Sequence, residues 1–146
     1  MAFYLPHNGE MDLRPALAAA LASGKSCFLP VLRGRALVFA RYTPGARLRE
    51  NEFGIPEPTT AERVPAAGLD LILAPLVGFT RSGARLGMGG GYYDATLRFL
   101  RTRPAWRRPL FAGVAYAFQE LESLPADPWD VPLHAVVTDH GASEFD

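Results

Sequence analysis

The chain reads as an α/β protein, a single domain over residues 1–146 with a mostly parallel, Rossmann-like open sheet flanked by helices. Three observations predict this. Strand-like stretches alternate with helical ones, the pattern left by crossover connections between parallel strands. Residues 69–75 form a largely apolar run closed by Gly68 and Pro75, as expected of a strand covered on both faces, where no polar alternation is needed. A glycine cluster and a helix start follow that run, and open sheets of this class bind ligands beyond the carboxyl ends of their strands.

The elements follow in order. Phe3-Tyr4-Leu5 is a short strand end carrying the turn Pro6-His-Asn-Gly9. Residues 12–23 are a helix with Asp12 as N-cap, Pro15 in its first turn, Gly24 at its stop and Leu13, Leu17 and Leu21 as its inward stripe. Residues 27–32 and 36–42 are strands joined tightly through Arg33-Gly34, the second being the hairpin partner or the neighbour of the first. Residues 43–68, with Pro44, Pro56, Pro58 and Pro65 and little periodicity, are expected to be a long ordered loop. Its segment Phe53-Gly-Ile-Pro-Glu-Pro58 is too apolar for a free linker and should pack over a site, or pin the loop to the core. After the strand at 69–75, residues 92–103 are a helix with Leu97 and Leu100 inward, ending before Pro104. Residues 110–118 are a strand, 119–129 a proline-rich crossing, 135–138 a short last strand, and the remainder a polar tail.

Composition narrows the function classes. A hydrophobic share of 49% and a charged share of 21% mark a folded chain rather than a disordered one. Fifteen basic and fifteen acidic side chains cancel, which excludes a general nucleic-acid or membrane surface. The arginines at 98, 101, 103, 107 and 108 read as a solvated helix face. Cys27 is the only cysteine, so no intrachain disulfide forms, and its setting is that of a buried strand residue. No run is long and apolar enough to span a membrane and no signal-peptide pattern opens the chain, so a cytoplasmic protein with no obligate protein partner is expected.

The chemistry concentrates between Asp70 and Asp94. Gly78, Gly83, Gly87, Gly89, Gly90 and Gly91 fall between a strand and a helix start, an arrangement that gathers free backbone N–H groups and the positive end of a helix at one point. Ordinary turn punctuation is the competing reading of such a cluster. Arg85 adds a planar cationic fork suited to phosphate oxygens, Tyr92 and Tyr93 add flat faces with polar tips, and Asp94 is placed to hold magnesium beside phosphates or to satisfy the amides of its own helix start. The stretch has no lysine and neither the dinucleotide fingerprint nor the Gly-Lys-Ser/Thr loop, so a standard Rossmann cofactor site or P-loop is excluded. His7, His134 and His140 lack zinc-ligand spacing.

Arg85-Leu-Gly-Met-Gly-Gly-Gly-Tyr-Tyr-Asp94, preceded by Asp70-Leu-Ile-Leu-Ala-Pro-Leu-Val-Gly-Phe79, closely resembles the signature of the 5-formyltetrahydrofolate cyclo-ligases, also called 5,10-methenyltetrahydrofolate synthetases. The resemblance extends through Phe53-Gly-Ile-Pro-Glu-Pro58 and residues 130–139 to nearly the whole chain. It implies an enzyme that couples ATP hydrolysis to cyclisation of 5-formyltetrahydrofolate, with Mg2+ as cofactor and ATP as co-substrate. It implies ATP contacts from Arg85, Leu86, Gly87, Met88, Gly89, Gly90, Gly91, Tyr92 and Tyr93, and catalytic roles for Arg85 and Tyr92. It implies folate contacts from Leu5, Glu10, Met88, Gly89, Gly90, Gly91 and Tyr92, with Phe53 against the pterin, and magnesium held by Asp94 and Asp130. Family members normally begin with a basic helical segment, and this sequence starts just before the Tyr4 strand; Thr80 stands where an aspartate is usual, and Trp129 and His134 also replace more typical residues.

Two other classes compete with the enzyme. One is a non-catalytic folate- or nucleotide-binding relative, or a fragment needing its missing basic segment. The other is an unrelated α/β protein that holds sugar phosphates on the same glycine-rich turn. Retention of Arg85, Tyr92, Asp94, Asp130 and Glu10 favours the enzyme over both.

Overall fold

The computed structural model describes residues 1–87, 89–102 and 108–145. Helix α1, Arg14–Ala22, leads into strand β1, Cys27–Arg33, which returns as β2, Ala36–Tyr42. Short strands β3, Leu48–Glu50, β4, Pro56–Pro58, and β5, Arg63–Val64, precede β6, Leu71–Pro75. A two-residue ladder of β7, Gly78–Phe79, and β8, Arg85–Leu86, comes before helix α2, Tyr92–Leu97. Strands β9, Leu110–Val114, β10, Ala135–Thr138, and β11, Gly141–Glu144, complete the chain.

The α/β class holds, but the sheets are small and mixed rather than one parallel Rossmann-like sheet. Strands β6, β9 and β10 pair in parallel, β11 closes that group antiparallel, and β1, β2 and β5 form an antiparallel group of three. The reason lies in the connections. Arg33 pairs directly with Ala36 around Gly34, and a link that short permits only an antiparallel return, whereas parallel partners need a crossover of a dozen or more residues. The two groups meet at Ala2, which bridges Phe28 of β1 and Ile72 of β6, both in parallel. The chain start is thereby threaded between them, with the Ala2 N–H donating to the Leu71 carbonyl at 2.8 Å and the Leu73 N–H to the Ala2 carbonyl at 3.0 Å.

Alternation along the strands sends side chains to two apolar layers. Phe28, Ile72, Ala74 and Phe111 enter one with Leu97 and Leu100, while Phe3, Cys27, Leu29 and Val114 enter the other with Leu13 and Leu17 of the α1 segment. Each face is thus covered by one helical segment; of the expected inward leucines, Leu13, Leu17, Leu97 and Leu100 are buried and Leu21 is only partly so. Cys27 is a buried strand residue, as expected, and burial pushes its thiol pKa up.

Several boundaries differ from the sequence reading. Leu13 rather than Asp12 occupies the α1 cap position, and the Asp12 carboxylate accepts the Arg14 N–H at 2.9 Å just outside the helix. The expected loop over 43–68 contains the β3–β4 hairpin and β5. Prolines at 56 and 58 alternate with Glu57, and a strand turns successive N–H groups to opposite sides, so Glu57 remains free to pair with Arg49. The second helix is α-helical only over Tyr92–Leu97 and tightens to a 3-10 turn over Arg98–Arg101. The expected strand over 110–118 ends at Val114, because Tyr116 and Gln119 cap a 3-10 turn. The expected polar tail is strand β11, paired with β10 from Ala135↔Glu144 to Thr138↔Gly141. Arg103 and Arg107 of the basic cluster lie outside the described residues. Among the described residues, no helix is long and apolar enough to cross a membrane.

Candidate active site

A cavity of about 610 Å³ opens at the carboxyl ends of three segments that run in parallel, the chain start, β1 and β6. Tyr4 and Leu5, then Leu29, Pro30 and Leu32, then Pro75 supply its floor. This is where an open sheet presents ligands, and the volume suits a folate-sized molecule, since small-molecule clefts run from about 300 to 1,000 Å³.

The glycine loop forms one wall. Gly89, Gly90 and Gly91 take φ of 97°, 84° and 62°, a left-handed run that side chains resist, and this is why three glycines stand together. A Cβ on Gly90 would also come within 2.8 Å of the Tyr92 ring. Gly91 occupies the cap position of α2, so the loop hands the chain to the helix with its backbone N–H groups unblocked by side chains.

Arg85 and Asp94 are tied together on the same wall. The Arg85 Nη2 donates to Asp94 Oδ1 at 2.5 Å, with side chains 8% and 18% exposed. The Arg85 guanidinium also lies 5.0 Å from the Phe111 ring centroid, and its Nε is buried without an acceptor among the described residues. The Val131 N–H donates to the same Asp94 oxygen at 2.9 Å, which draws the loop carrying Asp130 against α2. Asp130 Oδ2 accepts the Asp127 N–H at 2.8 Å. The second oxygen of each carboxylate accepts no hydrogen bond from a described residue. Among those residues no cluster of three or more His, Cys, Asp or Glu forms a closed metal cage. Two hard carboxylates on a cavity wall nonetheless fit magnesium, which takes one or two protein oxygens and completes its shell with water and phosphate.

The rest of the lining mixes apolar side chains with two acids, Glu10 and Glu57. Glu10 Oε1 accepts the His7 N–H at 2.9 Å, and burial pushes its carboxyl pKa up against the opposing effect of that bond. Tyr4 donates its hydroxyl to the Met11 carbonyl at 2.9 Å, and burial, reinforced by the Glu10 charge, holds its phenol above the usual range. Burial does the same to Tyr93, which stacks on Phe111. Phe53, at the tip of the β3–β4 hairpin, meets the Tyr92 ring edge-on with centroids 6.1 Å apart.

The cavity brings together Leu5, Glu10, Phe53, Arg85, Leu86, Gly87, Gly89, Gly91, Tyr92, Tyr93, Asp94 and Asp130. Of the other expected site residues, Gly90 is exposed in the same loop but is not among the lining residues, and Met88 is outside the described residues. Thr80 is buried in the β7–β8 turn, its hydroxyl 2.8 Å from that of Ser82. His7, set aside in sequence for lack of metal spacing, lines the cavity, as do Asn51 and Trp129, which sequence reasoning did not place there, and Glu57, from the segment expected to pack over a site. The signal for Asn51 was its position two residues before Phe53, where an Asn side chain organises a turn.

A glycine loop, a paired arginine, two carboxylates and two facing aromatic rings thus line one cleft of an α/β fold, the arrangement of an enzyme site. The chain belongs to the 5-formyltetrahydrofolate cyclo-ligase family, whose model matches residues 1–139. It is 37% identical over 144 residues to a 5-formyltetrahydrofolate cyclo-ligase of Haemophilus influenzae, covering 94% of this chain and 74% of that one. It is 39% identical over 146 residues to that of Escherichia coli K12, covering 94% and 76%. The solved structure of Aquifex aeolicus 5,10-methenyltetrahydrofolate synthetase superposes with a TM-score of 0.80 at 38% identity, covering 98% of this chain and 70% of that chain.

Proposed function

We propose that this cavity carries out the ATP-dependent cyclisation of 5-formyltetrahydrofolate to 5,10-methenyltetrahydrofolate, releasing ADP and phosphate. One observation carries the assignment of roles: a single cavity joins Leu5, Glu10 and Phe53 to Arg85, the glycine loop, Asp94 and Asp130.

A formamide oxygen is a poor leaving group, and the reaction turns it into a good one. The formyl oxygen attacks the γ-phosphorus and ADP departs; N10 then attacks the activated formyl carbon, loses its proton, and the C–O bond breaks to release phosphate. Positioning and charge stabilisation supply most of the catalysis in such a transfer. Backbone N–H groups from Gly87 to Tyr93 hold the phosphates. Arg85, kept in place by Asp94 and the Phe111 ring, faces charge developing on the transferred phosphoryl group. Leu5, Glu10, Phe53 and Tyr92 orient the folate, with the Tyr92 ring at the junction of the two substrates. Magnesium held by Asp94 and Asp130 would neutralise charge on the phosphate oxygens. All of these residues lie between positions 5 and 130, consistent with one domain.

The test is the absorbance of methenyltetrahydrofolate formed from 5-formyltetrahydrofolate with magnesium and ATP. Turnover that needs all three components is expected. Folate and ATP binding without turnover would overturn the catalytic reading in favour of a binding module.

A further inference from the structure

Leu32 and Leu37 face each other across β1–β2, one step in from the pair that closes the Gly34 turn. Alternate pairs of an antiparallel ladder leave their N–H groups pointing outward, and here both outward groups are taken by side chains. The Leu32 N–H donates to Glu57 Oε2 at 2.9 Å, and the Leu37 N–H donates to Thr96 Oγ1 at 2.8 Å.

Each acceptor passes the anchor on. Glu57 Oε2 also accepts from Asn51 Nδ2 at 2.9 Å, while Asn51 Oδ1 accepts the Phe53 N–H at 2.9 Å and the Ile55 N–H at 3.1 Å. One carboxylate oxygen therefore fixes the tip of the β3–β4 hairpin. The Thr96 hydroxyl donates to the Tyr92 carbonyl at 2.6 Å, which fixes the first turn of α2. The two relays end at Phe53 and Tyr92, the rings that meet edge-on over the cavity.

We propose that Glu57 and Thr96 are positioning residues: seated on the outward N–H groups of one strand pair, they set the Phe53–Tyr92 spacing and hence the slot that takes the flat ring of the substrate. The inference rests on the folate reading for its substrate, but not for its geometry. Thr96 is absent from the cavity wall and acts only through Tyr92. Glu57 reaches that wall, so its action through Phe53 must be separated from direct contact.

The experiment has two readouts. In the unliganded protein, the nuclear Overhauser effect between the Phe53 and Tyr92 rings is expected to fall in Glu57→Ala and in Thr96→Val, with the rest of the spectrum retained, and to return in Thr96→Ser. In the cyclisation assay, each of the first two variants should raise the KM for 5-formyltetrahydrofolate about tenfold with kcat within about twofold, the size expected of a contact-range coupling. In a Phe53→Ala background, Glu57→Ala should add nothing. Should Glu57→Ala fail to fold, Asn51→Ala cuts the same relay one link further out. A ring contact that persists in both variants, or a Glu57 effect undiminished without Phe53, overturns the proposal. A ring contact that responds as expected in a protein without turnover would sink the folate reading alone.

Discussion

Asp94→Ala should cost the protein about 3–5 kcal/mol of stability, the usual result of removing one member of a buried ion pair and leaving its partner charged. The structure places the pair in that class and not among exposed pairs, which contribute about 1 kcal/mol or less. Arg85 is 8% exposed and Asp94 18%, and Asp94 Oδ1 accepts two hydrogen bonds, from Arg85 and from the Val131 N–H. Without the carboxylate, Arg85 keeps the Phe111 ring, a contact worth about 0.5–2 kcal/mol, which does not replace a charge-assisted hydrogen bond to a guanidinium whose Nε already has no acceptor among the described residues. Asp94→Asn retains an acceptor for Val131 and should recover about 1 kcal/mol of the loss. The double variant Arg85→Met/Asp94→Leu should be more stable than Asp94→Ala, because no buried charge is left alone. Urea unfolding followed by far-ultraviolet circular dichroism measures all three. A loss below about 1 kcal/mol in Asp94→Ala would refute the argument and show the pair to be screened like a surface contact. Magnesium dependence should then be measured at a temperature where the variant is folded, since the same substitution removes a proposed metal ligand; loss of magnesium-dependent ATP use beyond the loss of folate binding is expected.

Burial raises the Glu10 pKa above its ordinary 4.5, so the folded state holds that proton more tightly than the unfolded chain and stability falls as pH rises through the window above that value. Glu10→Gln keeps an oxygen for the His7 N–H and carries no charge, so its stability relative to the parent should show no carboxylate-dependent gain below about pH 4 and should improve toward neutrality; a difference that stays flat with pH would contradict this. Gly90→Ala forces a left-handed residue at φ 84° and a contact with the Tyr92 ring, and should lower stability by about 1–2 kcal/mol and raise the KM for ATP severalfold; an unchanged KM would count against the loop as a phosphate cradle. Cys27, 1% exposed with its thiol pKa raised, should react with a thiol reagent only as fast as the protein opens, and rapid stoichiometric labelling of the native chain would show the β1 layer to be looser than described.

What was legible in the sequence is what depends on residue type and spacing. The leucines at 13, 17 and 21 mark a helix by period, the run to Pro75 marks a buried strand, and the glycines at 89–91 mark backbone that only glycine adopts readily. Most of the candidate wall follows, because residues 85–94 carry their chemistry contiguously. The hairpin at the Gly34 turn follows from its short connection, but a single parallel sheet does not survive the antiparallel pairings of β5 and β11, and at Gly141 a polar stretch pairs as an edge strand because one exposed face imposes no apolar pattern. The threading of Ala2 between β1 and β6 had no signal at all: one alanine and four backbone hydrogen-bonding groups look the same in any sequence.

The same blindness hid the Leu32–Leu37 anchor, and it separates two ways in which a site is encoded. Groups that meet a substrate must be particular side chains, so their identities stand out. Groups that orient them can be peptide N–H donors, which every non-proline residue owns, and their use becomes visible only when the ladder register shows which ones point outward. Glu57 and Thr96 are ordinary residues in ordinary positions until that register is known. Their importance comes from sharing one strand pair: a shift of β1 against β2 by a single residue would put Leu32 and Leu37 in neighbouring pairs of opposite kind, leaving only one N–H group outward and releasing either the hairpin or the helix, which couples the spacing of the two aromatic rings to the register of the strands beneath them.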